Sequence, residues 1–398
     1  MTDPLGQSQV IPYLKGLTEQ GHRFHLISCE KYSNDSNEFK NIKSLLDKLN
    51  INWHPLKYTS KPPVLSTLAD IRRISKLTKN IINKNKIDLI HCRGYISAMV
   101  GLKMKRKFGV KFLFDMRGFF ADERVEGGLW NLGNPIYNNV YKYFKKKEKQ
   151  FFTKADYSVS LTEKAKTIIQ SWDLPGQPVP IDVISCCADM ELFKRENVDE
   201  SLLKKWKQKL EIQDHDFVLS YLGSLGTWYM LDEMLDFFKV LMSKKTNAKF
   251  LFISPDDPRN ILTEAASKNI PKEKIIIQKA TRAEVPVMLA LSQVSIFFII
   301  PIFSKKASSA TKMGEIMGMG IPLICNSNVG DVDAIMDDAK AGIVLEAFSN
   351  DEYLKAVENI DDVLKIPPEN IRAYAKKYYS LDDGVEKYNS IYKKLSLQ

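Results

Sequence analysis

Cysteine and histidine are scarce in this 398-residue chain, at five residues each. The cysteines (Cys29, Cys92, Cys186, Cys187, Cys325) form no C-x-x-C pair and no zinc spacing. The histidines (His22, His25, His54, His91, His215) are scattered and form no H-E-x-x-H cluster. A metal centre built from protein ligands is therefore not expected. Most of the thiols follow or lie in strand-like stretches, where a free cysteine behaves as a small hydrophobe, and they read as buried. Long hydrophobic runs are missing as well. The longest, Val294 to Phe303, is ten residues with Ser295 and Pro301 inside it, and a bilayer-spanning helix needs about 20. Met1–Gly6 has neither a basic n-region nor an apolar h-region, so no secretory signal is read and a cytoplasmic location is expected. The G-x-G-x-x-G fingerprint and the Walker loop are absent, which removes the signatures of nicotinamide chemistry and P-loop phosphoryl transfer. No repeat of 20–50 residues and no low-complexity segment appears.

What remains is ordinary globular composition, with 44% hydrophobic and 27% charged residues. At about 100–200 residues per domain, the length predicts two domains. The net charge of +10 is unevenly spread. Residues 1–180 hold 30 Lys/Arg against 16 Asp/Glu, and residues 181–398 hold 28 against 32. A first half at +14 beside a second at −4 suggests that the first faces something anionic: nucleic acid, a membrane surface or a phosphorylated substrate.

Short β-branched runs alternate with amphipathic stretches throughout. Strands are predicted at Phe24–Cys29, Ile51–His54, Ile87–Cys92, Lys111–Asp115, Tyr157–Ser160 and Asp182–Ser185, with helices between them. The second half repeats the pattern at Phe217–Leu222, Lys249–Ile253, Ile275–Gln278, Ser295–Ile300, Ile321–Cys325 and Ala341–Leu345. Near-continuous apolar strands alternating with helices argue for parallel sheets covered on both faces. Two doubly wound α/β domains in tandem are expected, with the break in the polar stretch Cys187–Glu200. The loop Asp3–Gln7 leads into a helix with no strand before it, which reads as a first sheet lacking its opening strand.

In such sheets ligands bind beyond the carboxyl ends of strands. Gly223-Ser224-Leu225-Gly226-Thr227-Trp228 follows one strand and precedes a helix. Its glycines permit close backbone approach and the helix start favours an anion, although a plain strand–helix connection has the same form. Ser304–Glu315 follows another strand. Ser308, Ser309 and Thr311 offer donors to a phosphate, Lys306 and Lys312 supply charge, and Glu315 lies on the face of Thr311, able to accept from two ribose hydroxyls. The alternative is a Ser/Thr cap with Glu315 in a capping box. Two lysines beside the positive end of a helix dipole are unfavourable without an anion.

The run Ser308-Ser309-Ala310-Thr311-Lys312-x-x-Glu315, followed by Met317-Gly318-Met319-Gly320-Ile321-Pro322 and Gly330-Asp331, resembles the donor-nucleotide region of family 4 glycosyltransferases. Gly6, Gly21-His22, Ile87–Gly94 and Asp182–Asp189 with Phe193 agree with it, so the resemblance covers nearly the whole chain. It implies the GT-B fold, two Rossmann-like domains facing a cleft: residues 1–187 for the acceptor, 188–372 for the donor, and 373–398 as a helix crossing back to the first. It also implies a retaining transfer from a nucleotide sugar, such as a UDP- or GDP-sugar, with no separate cofactor. Glu315 matches the second glutamate of the family's E-x7-E pattern, expected on the ribose. The first falls at Ala307, a departure. The basic pair often found around the Gly loop is also missing, with Ser224 and Met230 near those positions. Lys306 and Lys312 are the substitutes expected to hold the diphosphate and stabilise charge on the leaving group. Gly223, Ser224, Gly226, Thr227, Ser308, Ser309, Thr311 and Glu315 complete the expected donor site.

On the acceptor side the reading takes Gly6, Gln7, Arg93, Asp115, Asp122, Glu123 and Arg124, while Arg117 is expected beside Lys306 and Lys312 among the catalytic residues, on a donor or acceptor phosphate. Five charges within Asp115–Arg124 after an apolar strand are expected to stay out of the core, either as a functional loop or as a surface salt-bridge cluster. On a helical wheel of Tyr137–Phe152 the aromatic residues share one arc, with Glu148 the exception, and Lys142, Lys145, Lys146 and Lys149 share the other. That face is either simply solvated or drawn to anionic lipid headgroups. The leading expectation is a cytoplasmic glycosyltransferase, peripheral on the inner membrane face, adding sugar to a glycan or lipid-linked acceptor in cell-surface polysaccharide synthesis. A non-catalytic partner subunit and a nucleotide-sugar epimerase are the alternatives. Nucleic acid is not an expected partner, because no recognised binding module accompanies the charge.

Overall fold

The computed structural model describes residues 1–31, 36–174 and 176–397. The chain divides into two compact units, Met1–Ser185 with Leu381–Gln398, and Cys186–Ser380. The first unit opens with α1 (Pro4–Gln9), α2 (Ile11–Glu19), β1 (His25–Glu30), α3 (Asn37–Lys48), β2 (Asn52–Lys57) and α4 (Leu65–Lys84). It continues with β3 (Leu89–Arg93), α5 (Tyr95–Phe108), β4 (Lys111–Asp115), α6 (Phe120–Glu126), α7 (Pro135–Lys154), β5 (Tyr157–Ser160), α8 (Glu163–Gln170) and β6 (Ile181–Val183).

Two segments expected as loops are helices. In α1, Asp3 caps the end by accepting from the Gly6 amide at 2.6 Å, and Pro4 stands in the first turn, where its missing N–H costs nothing. In α6, Asp122 and Glu123 lie in the first turn, complementing the helix dipole. Every ladder in this unit is parallel, but the strands form two sheets, β1-β2 and β3-β4-β5-β6. Among the described residues no ladder joins β1 to β3, so the single sheet expected is split. Both strands are largely half-buried, whereas Phe112–Asp115 of β4 is buried throughout. The smaller sheet rests on a modest core of Ile11, Ile42, Leu46 and Ile51. Cys29 of β1 is correspondingly only half-buried, while the other four cysteines are buried as expected.

The second unit runs α9 (Glu200–Lys209), β7 (Phe217–Leu222), α10 (Leu231–Lys244), β8 (Ala248–Ile253), α11 (Pro258–Ser267), β9 (Ile275–Gln278) and α12 (Val285–Leu289). Then come β10 (Val294–Ile296), α13 (Thr311–Gly318), β11 (Leu323–Asn326), α14 (Val332–Ala339), β12 (Gly342–Leu345), α15 (Asn350–Glu358), α16 (Ile360–Val363) and α17 (Pro368–Tyr379). The last helix, α18 (Leu381–Ser396), belongs to the first unit, where Val385 fills the space left by Gly16 of α2. One parallel sheet has the order β12-β11-β10-β7-β8-β9. β7 is buried along its whole length and β8 nearly so, with Phe250 and Phe252 rings 4.1 Å apart at the centre.

Strand β10 stops at Ile296, short of the expected Ile300, because the next residues pair elsewhere. Phe298 O accepts from the Met230 amide, and the Ile300 amide donates to Trp228 O, each at 3.0 Å. The sheet's topological switch point therefore lies between β7 and β10, and the segments leaving these two strands are stitched together. In an open parallel sheet this is where ligands bind.

The difference in core between the sheets has a measurable consequence. Amides of β1 and β2 are expected to exchange with deuterium about tenfold faster or more than those of β7 and β8, since local opening follows buried contact. Native-state hydrogen exchange read by mass spectrometry checks this.

Candidate active site

The Gly223 turn is built by its neighbours. Asp256, beyond β8, accepts from Ser224 Oγ at 2.7 Å and from the Leu225 amide at 2.6 Å. The Tyr221 hydroxyl donates to Ser224 O at 2.8 Å. Gly223 has φ +102°, a conformation that strains other residues. A Cβ there would stand 3.4 Å from Lys312 Nζ, so the glycine opens space directly beside the ammonium. Gly226 and Thr227 are exposed at the tip of the same turn.

Lys312 itself is buried. Its Nζ donates to the Tyr221 hydroxyl at 2.9 Å and lies over the rings of Tyr229 and Tyr221, 3.5 and 4.1 Å from their centroids. Ring quadrupoles attract a cation, but among the described residues no carboxylate is in contact with it. Burial pushes Lys312 well below the usual lysine range, although Glu315 and Asp256 pull the other way. The companion lysine turned inward is Lys305, its Nζ 3.7 Å from the Trp228 ring centroid, whereas Lys306 is exposed with its Nζ 6.0 Å from the ring of Phe303. The lysines form no simple pair at the helix start.

Nor is α13 capped as the alternative reading required. Its cap residue is Ala310, with no side-chain hydrogen bond. Ser309 Oγ instead accepts from the Cys186 amide at 3.0 Å. Ser308 and Thr311 are half-buried and Glu315 is buried. The Glu315 carboxylate is held by the Arg282 guanidinium, which also stacks 4.8 Å from the Phe193 ring. Sequence reading missed Arg282, Asp256, Tyr221 and Tyr229 because 31 to 91 residues separate each from the group it holds. The lone signal was the aromatic flanking of the Gly turn.

In the first unit Asp115 ends β4 and is completely buried, contrary to the expectation that its charge would stay out of the core. Arg93 and Arg117 reach it at 3.7 Å, His91 Nε2 at 3.4 Å, and the Tyr388 hydroxyl donates at 3.1 Å. Arg117 adopts φ +61°. Asp122 is likewise buried, accepting from Lys145 at 2.8 Å and from the Tyr141 hydroxyl at 2.9 Å. Lys145 therefore leaves the solvated face assigned to it and also meets the buried Glu148 at 2.5 Å. Arg124 covers the Phe120 ring and Glu123 lies near Gly118. Gly6 packs on Met1, and Gln7 bonds Glu38 and Thr2 O. The structure thus gathers Arg93, Asp115 and Arg117 into one cluster, and gives Asp122, Gly6 and Gln7 local structural partners. Among the described residues no group of three or more His, Cys, Asp and Glu is arranged for a metal ion, and no helix is long and apolar enough to cross a membrane.

Solved structures share this architecture. A glycosyltransferase from Rickettsia africae matches with a TM-score of 0.72 at 17% identity, over 99% of this chain and 96% of its own. HepE of Anabaena, in complex with UDP and glucose, matches at 0.70 and 12% identity over 98% and 96%. WaaG, a glycosyltransferase involved in lipopolysaccharide biosynthesis, matches at 0.67 and 14% over 95% and 94%. No curated protein matches the sequence. The fold is that of the GT-B glycosyltransferases. Its family follows from the sequence profiles: Glycosyltransferase Family 4 matches residues 8–192 and Glycosyl transferases group 1 matches residues 204–378. The chain belongs to the family 4 glycosyltransferases.

The carboxylates of the first unit make its stability acid-sensitive. Burial pushes Asp115 up, but Arg117, His91 and Arg93 outweigh it and hold the carboxyl well below the usual range. At Glu30 burial is likewise outweighed, by the N-terminal ammonium, Ser28 and Thr2, which bring it to about 2. Lowered native values stabilise above the ordinary carboxylate range near about pH 4, and that stability drains as pH falls below it. The urea midpoint is expected to fall between pH 5 and pH 2.5. Asp115→Asn, which leaves two half-buried guanidiniums without their carboxylate, is expected to lose about 2 kcal/mol at pH 5 and to show a shallower acid decline.

Proposed function

We propose that this glycosyltransferase is a retaining, hexosyltransferase-type enzyme that moves a sugar from a UDP- or GDP-sugar to a glycan or lipid-linked acceptor in cell-surface polysaccharide synthesis. The observation that carries the reading is Lys312, a buried ammonium with Tyr221 and Tyr229 around it and space beside Gly223. A diphosphate seated against that space would supply the anion that Lys312 lacks. As the bond from the sugar's anomeric carbon to the β-phosphate oxygen breaks, negative charge grows on the leaving group. A preorganised cation at that spot stabilises it more than it stabilises the bound donor, which is how such a contact accelerates a reaction. Lysine charge takes the part that a metal ion would otherwise play, so metal independence is included in the proposal. Ser308, Thr311 and the Gly223 turn supply further donors, and Arg117 and Arg93 serve the acceptor side. The UDP and UDP-glucose complexes of HepE support the donor class, and the role of WaaG supports the polysaccharide one.

A second reading, a non-catalytic partner subunit, is favoured by one feature: Ala307 is buried where the family's first glutamate would fall. Sugar transfer, or hydrolysis of the donor, dismisses it.

Calorimetric titration with UDP, GDP and dTDP tests the donor site. At least one is expected to bind wild type, and Lys312→Met is expected to weaken it about thirtyfold, the worth of a charge-assisted contact. Because burial lowers Lys312 in the free protein, binding near pH 8 is expected to take up a proton, seen as an enthalpy that varies with the buffer's ionisation heat. Lys312→Met is expected to abolish that variation. A folded wild type that binds none of the three ends the reading.

The enzyme is further proposed to sit on the inner face of a membrane. Helix α7 exposes Lys142, Lys146 and Lys149, and its apolar Ile136 and Tyr143 are 64% and 44% exposed. Each lysine near an anionic surface contributes about 1 kcal/mol. Co-sedimentation with vesicles containing phosphatidylglycerol is expected, with loss in 0.5 M salt or in the Lys142→Glu/Lys146→Glu variant. Equal sedimentation with neutral vesicles contradicts it.

A further inference from the structure

Strand β12 ends the sheet order β12-β11-β10-β7-β8-β9, and among the described residues no strand pairs with its outer side. Its bonds to β11 use alternate residues. The Leu323 amide donates to Ala341 O and the Ser327 amide to Leu345 O, each at 3.0 Å. Successive peptide groups point to opposite sides of a strand, so the N–H and C=O of Gly342 and Val344 point away from β11. Sheet edges are ordinarily blunted by charged side chains, proline or a bulge. Gly342-Ile343-Val344-Leu345 carries neither charge nor proline.

A groove of about 700 Å³ lies against this strand, lined also by residues of α14 and by residues in and around α16. Its apolar lining includes Met336, Ile343, Val344, Val363 and Ile366. Its charged lining is Asp333, Asp337, Glu346 and Asp362 against Lys340 alone. Lys340 meets Asp337, and Lys365, outside the lining, meets Asp362 at 2.7 Å. Even with Lys365 counted, carboxylates outnumber ammonium groups four to two.

This chemistry selects the occupant. Two copies meeting edge to edge would bring acidic linings together, and like charges across an interface oppose association. An extended segment with basic and apolar side chains answers every part of the groove. Its main chain closes the free peptide groups, and its alternate side chains reach the two walls.

We infer that the outer edge of β12 is a docking site for an extended basic segment of a partner protein, which adds to the six-stranded sheet as a further strand. Strands β10 and β11 stand between it and the switch point, so the docking site is independent of the donor reading.

The test measures binding of a labelled peptide of about seven alternating lysines and valines, long enough to span β12, to the full chain. Its glutamate–valine counterpart and a form N-methylated on every amide are the comparisons. The lysine peptide is expected to bind about tenfold tighter than either, and to slow deuterium exchange of the Val344 amide. Val344→Pro removes that outward amide, a change an edge strand tolerates, and is expected to weaken binding about tenfold, the worth of a hydrogen bond. Glu346→Lys/Asp362→Lys is expected to weaken it at least as much, and less so in 0.5 M salt. An N-methylated peptide that binds as tightly as the plain one reveals attraction by charge alone and overturns the inference, whether or not Val344→Pro folds. No binding at about 1 mM peptide overturns it too. So does a wild-type dimer in sedimentation that Val344→Pro dissolves, since a second copy is then the occupant.

Discussion

The second unit is organised around a lysine placed where a core would ordinarily hold a methionine or leucine. Removing an ammonium from water costs several kcal/mol after relaxation. Here the compensation is partial: one hydroxyl, two ring faces, and the field of Glu315 and Asp256 without contact. The surroundings are shaped by that deficit. Tyr221 must present its oxygen to Nζ, so its proton goes to Ser224 O, and this bond helps to hold the turn. Gly223 takes a φ of +102° that would strain a residue with a side chain, and Asp256 pins the two residues that follow it. A cation held short of full compensation is a poor stabiliser of the empty fold and a good receptor for an anion.

The charged cluster of the first unit solves the opposite problem. Asp115 is fully buried, yet two guanidiniums, an imidazole and a phenol hydroxyl converge on it. Its charge is opposed within its own unit, although Oδ1 accepts no hydrogen bond, and it draws Arg93 and Arg117 to the ends of β3 and β4. Arg117 accepts a left-handed backbone to reach its place, a strain tolerated where the surrounding contacts over-determine the geometry. One unit thus keeps a buried lysine amine whose protonated form lacks a carboxylate in contact, and the other uses charge to fix the direction of long side chains.

Strand–helix alternation was plainly legible, and all twelve expected strands form, because near-continuous apolar runs leave little choice of structure. Boundaries were less so where tertiary pairing intervened. The run after Val294 reads as one long strand, but Phe298 and Ile300 are claimed by the segment leaving β7. Asp122–Arg124 is a helix rather than a loop and Asp122 is buried, because charge does not by itself imply exposure and nothing near in sequence shows that Lys145 and Tyr141 come to meet Asp122. The same blindness hid Arg282. A glutamate one turn into a helix beside serines and a lysine is conspicuous, whereas its partner 33 residues earlier is one arginine among many basic residues. Periodicity reports which face is buried. It does not report which buried charge meets which.

Glycosyl transfer asks a protein to meet charge that appears only as a bond breaks, and groups that must first reorganise meet it late. In this chain the segments leaving β7 and β10 are bonded to each other at Met230 with Phe298 and at Trp228 with Ile300. Asn326 at the end of β11 ties down Ile299 through both its amide atoms, and the Gly330 amide fastens Lys305 O. These bonds lie beside the switch point, so the Gly223 turn leaves a strand end, and Lys305 and Lys312 stand on a helical turn and a helix fastened to it, rather than on free loops. Their positions are set when the sheet folds. The reorganisation that binding would otherwise require has been moved into folding, where the fully buried strands β7 and β10 can bear it.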